Sequence, residues 1–157
     1  MKNAVQLQFE ERQYIHLSLL HLGVIKWSKS ARRLRSAIEY VLEHEAIIEL
    51  PIGYLYEYLA KQEGCSYNVI ERSLRYVIND LWRCDPKNCS KLFLRSSKPL
   101  PCPCVSEFLC LYIAAFQRGV IREWVDSFER RNVLFEYREM EESQSLINEI
   151  SKVIIPE

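Results

Sequence analysis

Glycine is scarce in this chain, with 4 among 157 residues, and proline contributes only 6. No glycine-rich run is present to cradle a phosphate with backbone amides, which removes the loop-based nucleotide sites from consideration. So few turn formers also argue for helices with short connections and against a many-turned β fold. Histidine is rarer still. His16, His21 and His44 fall in helical stretches with no recognisable partner, so no nucleophile–base constellation forms and no enzyme activity is expected. No apolar run approaches the length of a membrane span and no signal peptide opens the chain, so a soluble cytoplasmic protein without membrane contact is expected. The six cysteines lack the two Cys-x-x-Cys knuckles of a zinc ribbon. Cys84 and Cys89 are five apart, Cys102 and Cys104 are two apart, and Cys65 and Cys110 stand alone. Free thiols with no metal and no cofactor are expected, a metal site on the middle four being the alternative.

Net charge is also missing, since 21 Lys/Arg balance 21 Asp/Glu. The balance conceals an uneven spread. Residues 1–121 carry 16 basic and 12 acidic side chains, a surplus of four positive charges; residues 122–157 carry 5 and 9, the opposite surplus. Lys26, Lys29, Arg32, Arg33 and Arg35 form one basic run, and Lys87, Lys91, Arg95 and Lys98 another. Mixed surface charge accounts for such runs. Phosphate contact accounts for them too, given what lies between them. With 48% hydrophobic and 27% charged residues the chain is globular, long enough for one domain with a core or a domain plus an appendage.

The periodicity predicts an all-α bundle. Residues 10–22 form a first helix ended by Gly23. A second starts near Ser30 and buries Leu34, Ile38, Val41 and Leu42. Pro51 breaks the chain before a third helix, which Gly64 terminates, and Ser66 caps the fourth. Residues 86–93 form a short helix, and residues 94–104, rich in Ser and Pro, are irregular. An almost wholly apolar helix follows, capped by Ser106, with Phe108, Leu109, Tyr112 and Ile113 buried.

The fourth helix, residues 66–83, is the informative one. Ile70, Leu74, Val77, Ile78 and Leu81 make an apolar stripe, while Asn68, Glu71, Arg72, Arg75 and Asn79 fall on the other side. A solvated polar face is one explanation and base reading is the other. A helix, a tight turn at Gly64 and a longer helix have helix-turn-helix spacing. Leu59, Ala60, Gly64 and Ile70 fit that pattern, whereas Glu63 and Ser73 fit it poorly.

Several segments resemble the C-terminal DNA-binding domain of the stage 0 sporulation protein A response regulators. They are "LGV" at 22–24, "LRSAI" at 34–38, "LA" at 59–60, "VIERSLRYVINDLW" at 69–82, "KLF" at 91–93, and Pro103 with Ser106, Glu107 and Phe108. The resemblance covers about residues 10–116. It implies a six-helix bundle holding a helix-turn-helix whose recognition helix, residues 66–83, enters the major groove of double-stranded DNA. It places Glu71, Arg72 and Arg75 where the family contacts DNA, with Asn68 near the leading end. These side chains suit the task, because Arg pairs with guanine O6 and N7, Glu accepts from cytosine N4 and Asn pairs with adenine. Ser66, Lys26, Lys29, Arg32, Arg33, Lys87, Lys91 and Arg95 are the phosphate candidates.

The chain also departs from the family. Val69 stands where the family has an arginine. Too few residues precede the match for a phosphoacceptor receiver domain, which points to a stand-alone paralogue. The stretch between Trp82 and Phe108 is slightly shorter than in the family, and the segment after Phe116 is additional. The expected layout is a DNA-binding domain at 1–117 and a C-terminal helical extension at 118–157, the whole acting as a sequence-specific transcription regulator. The alternative is a protein-interaction module that kept the fold and lost tight DNA binding. In the extension Ile121, Trp124, Val125 and Phe128 form one apolar stripe, and Leu146, Ile147, Ile150, Val153 and Ile154 a second. They either pack back on the bundle or pair two chains. A homodimer held partly by Trp124, Phe128 and the second stripe is expected.

Overall fold

The computed structural model describes residues 7–23, 28–44 and 52–154, and the side chains of all of these except 131–141 and 151–154. Within them the chain forms seven α-helices and no strand: α1 (Phe9–Leu22), α2 (Lys29–Glu43), α3 (Gly53–Glu63), α4 (Tyr67–Cys84), α5 (Pro86–Leu94), α6 (Val105–Gln117) and α7 (Val120–Ile154). Lys26 and Pro51 lie outside the described residues.

Local chemistry sets most of the boundaries. Gly64 takes a left-handed φ of 64° and ends α3. Ser66 then accepts the Val69 N–H at its hydroxyl and starts α4. Asp85 ends α4 and at once caps α5 by accepting the Asn88 N–H at 3.1 Å, with Pro86 at the first helical position, where its missing N–H costs nothing. Two expected caps belong to other residues. Ser28, not Ser30, caps α2 by accepting the Ala31 N–H at 3.2 Å, and Ser30 sits inside the first turn. Cys104, not Ser106, is the N-cap position of α6, so Ser106 is already helical.

The core is one cluster. Every residue of the stripe expected in α4 is buried, as are Leu34, Ile38, Val41 and Leu42 of α2 and Phe108, Leu109, Tyr112 and Ile113 of α6. Helix α6 is apolar nearly all round because α2, α4, α5 and α7 all pack on it. Its Tyr112 meets a fully buried serine, Ser18, at 2.6 Å. Ser18 donates to the Ile15 carbonyl at 2.8 Å, so its one proton is used and the Tyr112 hydroxyl is the donor between them. The irregular segment after α5 is tied down at Leu100. The Trp82 indole N–H donates to the Leu100 carbonyl at 2.7 Å, and the Leu100 N–H donates to the hydroxyl of buried Ser90 at 2.9 Å. Trp82 is thus a core residue with its polar edge satisfied.

The two stripes of the extension lie on one continuous helix, α7, and they meet different fates. The first packs back on the bundle. Ile121 and Val125 are buried, and Trp124 packs against the core. Phe128 stacks on His21 with ring centroids 4.0 Å apart. Around this seam the Tyr14 hydroxyl donates to Asp126 at 2.8 Å and His21 Nε2 lies 2.6 Å from Glu129. The His21 partner, absent from any local sequence pattern, is therefore 108 residues away. Trp124 and Phe128 are thus half-buried against their own chain. The second stripe is uncovered: Leu146, Ile147 and Ile150 are 58%, 55% and 48% exposed.

Candidate nucleic-acid interface

Helices α3 and α4 are joined by residues 64–66 alone. With its apolar stripe sunk in the core, α4 turns its polar half outward. Asn68, Arg72, Arg75 and Asn79 are exposed and Glu71 is half-buried. Arg75 Nη1 lies 3.2 Å from Glu71 Oε1, one turn back. An exposed pair of this spacing is worth only about 0.3–0.5 kcal/mol. It orients the guanidinium without holding it against a stronger partner. The structure thus gathers Asn68, Glu71, Arg72 and Arg75 on one helix surface. Three exposed apolar or aromatic residues join them: Tyr67 (41%), Val69 (40%) and Tyr76 (65%). The sequence offered a signal for Tyr76, since it stands one turn beyond Arg72.

One flank of α4 is walled by the segment 102–106. Tyr56, Glu71, Arg75 and Asn79 share a cleft with Cys102 and Cys104. Burial, followed by the negative charge of Glu71, pushes the Tyr56 phenol up to about 12, so it stays protonated at neutral pH. Its ring meets Tyr67 edge-on, with centroids 5.2 Å apart.

The basic candidates divide into three groups. Lys29 and Arg32 are exposed on the first turns of α2. Lys87, Lys91 and Arg95 line one cleft with Asn88, Ser96 and Ser97. Lys87 and Lys91 stand one turn apart on α5, and Arg95 follows as the residue that ends the helix in a left-handed conformation, φ 53°. Arg33 is used differently. Its side chain is 12% exposed and pairs with Glu63, and its Nη1 donates to the Ser73 hydroxyl at 2.6 Å. Glu63 and Ser73, the two poor fits to the helix-turn-helix pattern, are both partners of this one arginine.

All six cysteines are free. Burial pushes the Cys89 thiol up to about 12, and its S–H donates to the Leu81 carbonyl. Burial also raises Cys102. A thiol held protonated is a poor nucleophile and a poor metal ligand. Among the described residues no three His, Cys, Asp or Glu side chains converge as a metal site, and no described helix is long and apolar enough to cross a membrane.

In comparison with known families, the one described as sporulation initiation factor Spo0A C terminal matches residues 15–115, from within α1 to within α6. No curated protein matches the chain.

Proposed function

Because the chain belongs to the family of sporulation initiation factor Spo0A C-terminal domains, we propose that it is a sequence-specific DNA-binding transcription regulator whose α4 enters the major groove. The observation that carries this reading is the outward face of α4. It holds two arginines one turn apart beside Asn68 and Glu71, opposite a fully sunk apolar stripe. In this reading Arg72 and Arg75 take guanine edges, and Asn68 and Glu71 take adenine and cytosine. Exposed Val69 offers its methyls to a thymine where the family has an arginine. Ser66, Lys29, Arg32, Lys87, Lys91 and Arg95 hold the backbone, and Arg33 leaves the phosphate set. Selection of bound sequences from random duplex DNA tests the proposal. Enrichment of one motif is the expected result. Recovery of no motif, with weak and wholly salt-dependent binding, would instead favour the protein-interaction module. Lys91→Ala is expected to weaken all sequences alike and to lower the slope of log affinity against log salt by about one.

The reading includes a homodimer, now confined to the distal part of α7. Leu146, Ile147 and Ile150, continued in sequence by Val153 and Ile154, make a stripe on one side of the helix. Glu142 and Glu149 flank one edge, and Gln144 the other. Parallel pairing of two copies sets the acidic edge of each against the neutral edge of its mate. Antiparallel pairing sets acid against acid, so the charge pattern favours a parallel pair. Two side-by-side bundles then present two α4 helices to two half-sites. Light scattering on the full chain is expected to give a dimer, and Ile150→Asp to raise its dissociation constant more than about tenfold. A full chain that stays monomeric at high micromolar concentration removes the pairing.

A further inference from the structure

The helix-turn-helix pattern asks for apolar contacts where this chain has Glu63 and Ser73, and the structure fills that place with a polar tie. Arg33, on α2, reaches the last residue of α3 through Glu63 and the flank of α4 through Ser73. Each partner is 30 or more residues away in sequence. Ser73 is neither on the buried stripe nor at the centre of the outward face. It lies on the edge between them, next to Arg72 and opposite the edge that carries Glu71. A bond there pulls tangentially and resists rotation of α4 about its own axis. The sunk stripe fixes which face of α4 turns outward, but further apolar contacts at this edge, being non-directional, would set the last few degrees of rotation less tightly. A guanidinium has a planar fork of fixed donor directions.

We infer that Arg33 is a positioning residue for base reading: through Ser73 and Glu63 it sets the rotational position of α4, and so where Arg72 and Arg75 reach. Side-chain tips lie about 5–6 Å from a helix axis, so a turn of about 10° carries them about 1 Å, beyond the about 0.5 Å that a well-positioned binding group tolerates. Arg33 itself, 12% exposed and held by two partners, touches no base.

The inference rests on the proposal that α4 reads sequence, and the experiment separates the two. The full chain, Arg33→Met, Arg33→Lys and Ser73→Ala are compared on the motif selected by the wild type and on random duplex in the same buffer. Arg33→Met is expected to lose at least about tenfold in affinity for the motif, with random-duplex affinity held within about twofold. A fresh selection with that variant is expected to show relaxed choice at the bases facing Arg72 and Arg75. Arg33→Lys, which keeps the charge and loses the fork, falls between. Ser73→Ala removes one hydrogen bond and installs the best helix former; it carries the test if Arg33→Met does not fold. Variants that melt earlier yet keep the wild-type ratio of motif to random affinity overturn the inference and leave Arg33 a structural residue. A wild type with no preferred motif overturns the DNA-reading proposal, and the positioning role falls with it.

Discussion

Arg72→Ala/Arg75→Ala is expected to abolish sequence choice while leaving the fold intact. Each bidentate arginine–guanine pair is worth about 1–3 kcal/mol of discrimination, so the double variant stands to lose about 2–6 kcal/mol on its selected site. That loss spans a large part of the typical gap of about 4–10 kcal/mol between specific and non-specific binding. Stability has little to lose. Both residues are exposed, alanine is at least as good a helix former as arginine, and the one pair removed, Glu71 with Arg75, is weak. Titration of the selected duplex and of random duplex with wild type and double variant measures the effect, and a melting curve controls for folding. Equal affinity of the two proteins for the selected site sinks the base-reading role of α4.

The second large effect lies in the core. Tyr112→Ala is expected to destabilise the bundle by about 3–5 kcal/mol, as truncations of buried aromatics do. Tyr112 is fully buried, and Phe93, Phe108 and Phe116 surround it with ring centroids 5.9, 6.3 and 6.4 Å away. No small shift of one neighbour fills the space it leaves. Ser18 would lose its donor as well. Domains of this kind have about 5–15 kcal/mol of stability in all, so the variant stands near the edge of folding. Tyr112→Phe separates the two contributions, since losing the hydroxyl alone is expected to cost about 1 kcal/mol. Urea unfolding measures both. A Tyr112→Ala variant within about 1 kcal/mol of wild type contradicts the packing of Tyr112 among Phe93, Phe108 and Phe116.

The helices of the bundle were readable from sequence because water imposes their pattern. A helix with one wet side must repeat its apolar residues every three or four positions, and the stripes of α2, α4 and α6 are buried as that rule requires. Gly64 and Ser66 were readable for a similar reason, since only a few residue types suit a left-handed turn or an N-cap. Where two suitable residues lay two positions apart, local chemistry did not choose between them. Ser28 and Ser30 both accept amide protons well, and it is Ser28 that takes the extended backbone of a cap, with φ −80° and ψ 170°. At α6 the helix starts from Cys104, which makes no side-chain cap bond, so propensity alone pointed to Ser106.

Partners distant along the chain were not readable. Periodicity states that a face is covered and says nothing of what covers it. By sequence, Trp124 and Phe128 suit a second chain and the chain's own bundle equally well. His21 supplied the answer, by stacking on Phe128 and meeting Glu129. Charge alone groups Arg33 with its basic neighbours, whereas its burial and both its partners set it apart. The clue was present in Glu63 and Ser73, two residues that contradict the pattern together. Of the candidate site, the outward residues of α4 are gathered as a set because one helix carries them. Apart from Ser66 at the start of α4, the described phosphate candidates come from α2 and from α5 with its cap, and no periodicity relates those to each other.

Helix α7 runs without interruption through 35 residues, about 52 Å at 1.5 Å per residue. Its near end is keyed to the bundle by Ile121 and Val125, and its far end bears the uncovered stripe. A continuous helix transmits angle as well as distance. Inserting one residue beyond Phe128 would swing the distal face by about 100° around the axis, and a pair formed there would aim its two bundles in different directions. Inserting seven would return the face to within about 20° and move the bundles about 10 Å further from the pairing site. In the proposed dimer the tail acts as a phased spacer. Substitutions on its wet side then leave the pairing unchanged, whereas insertions keep the two bundles in phase only near whole numbers of turns, such as seven or eleven residues.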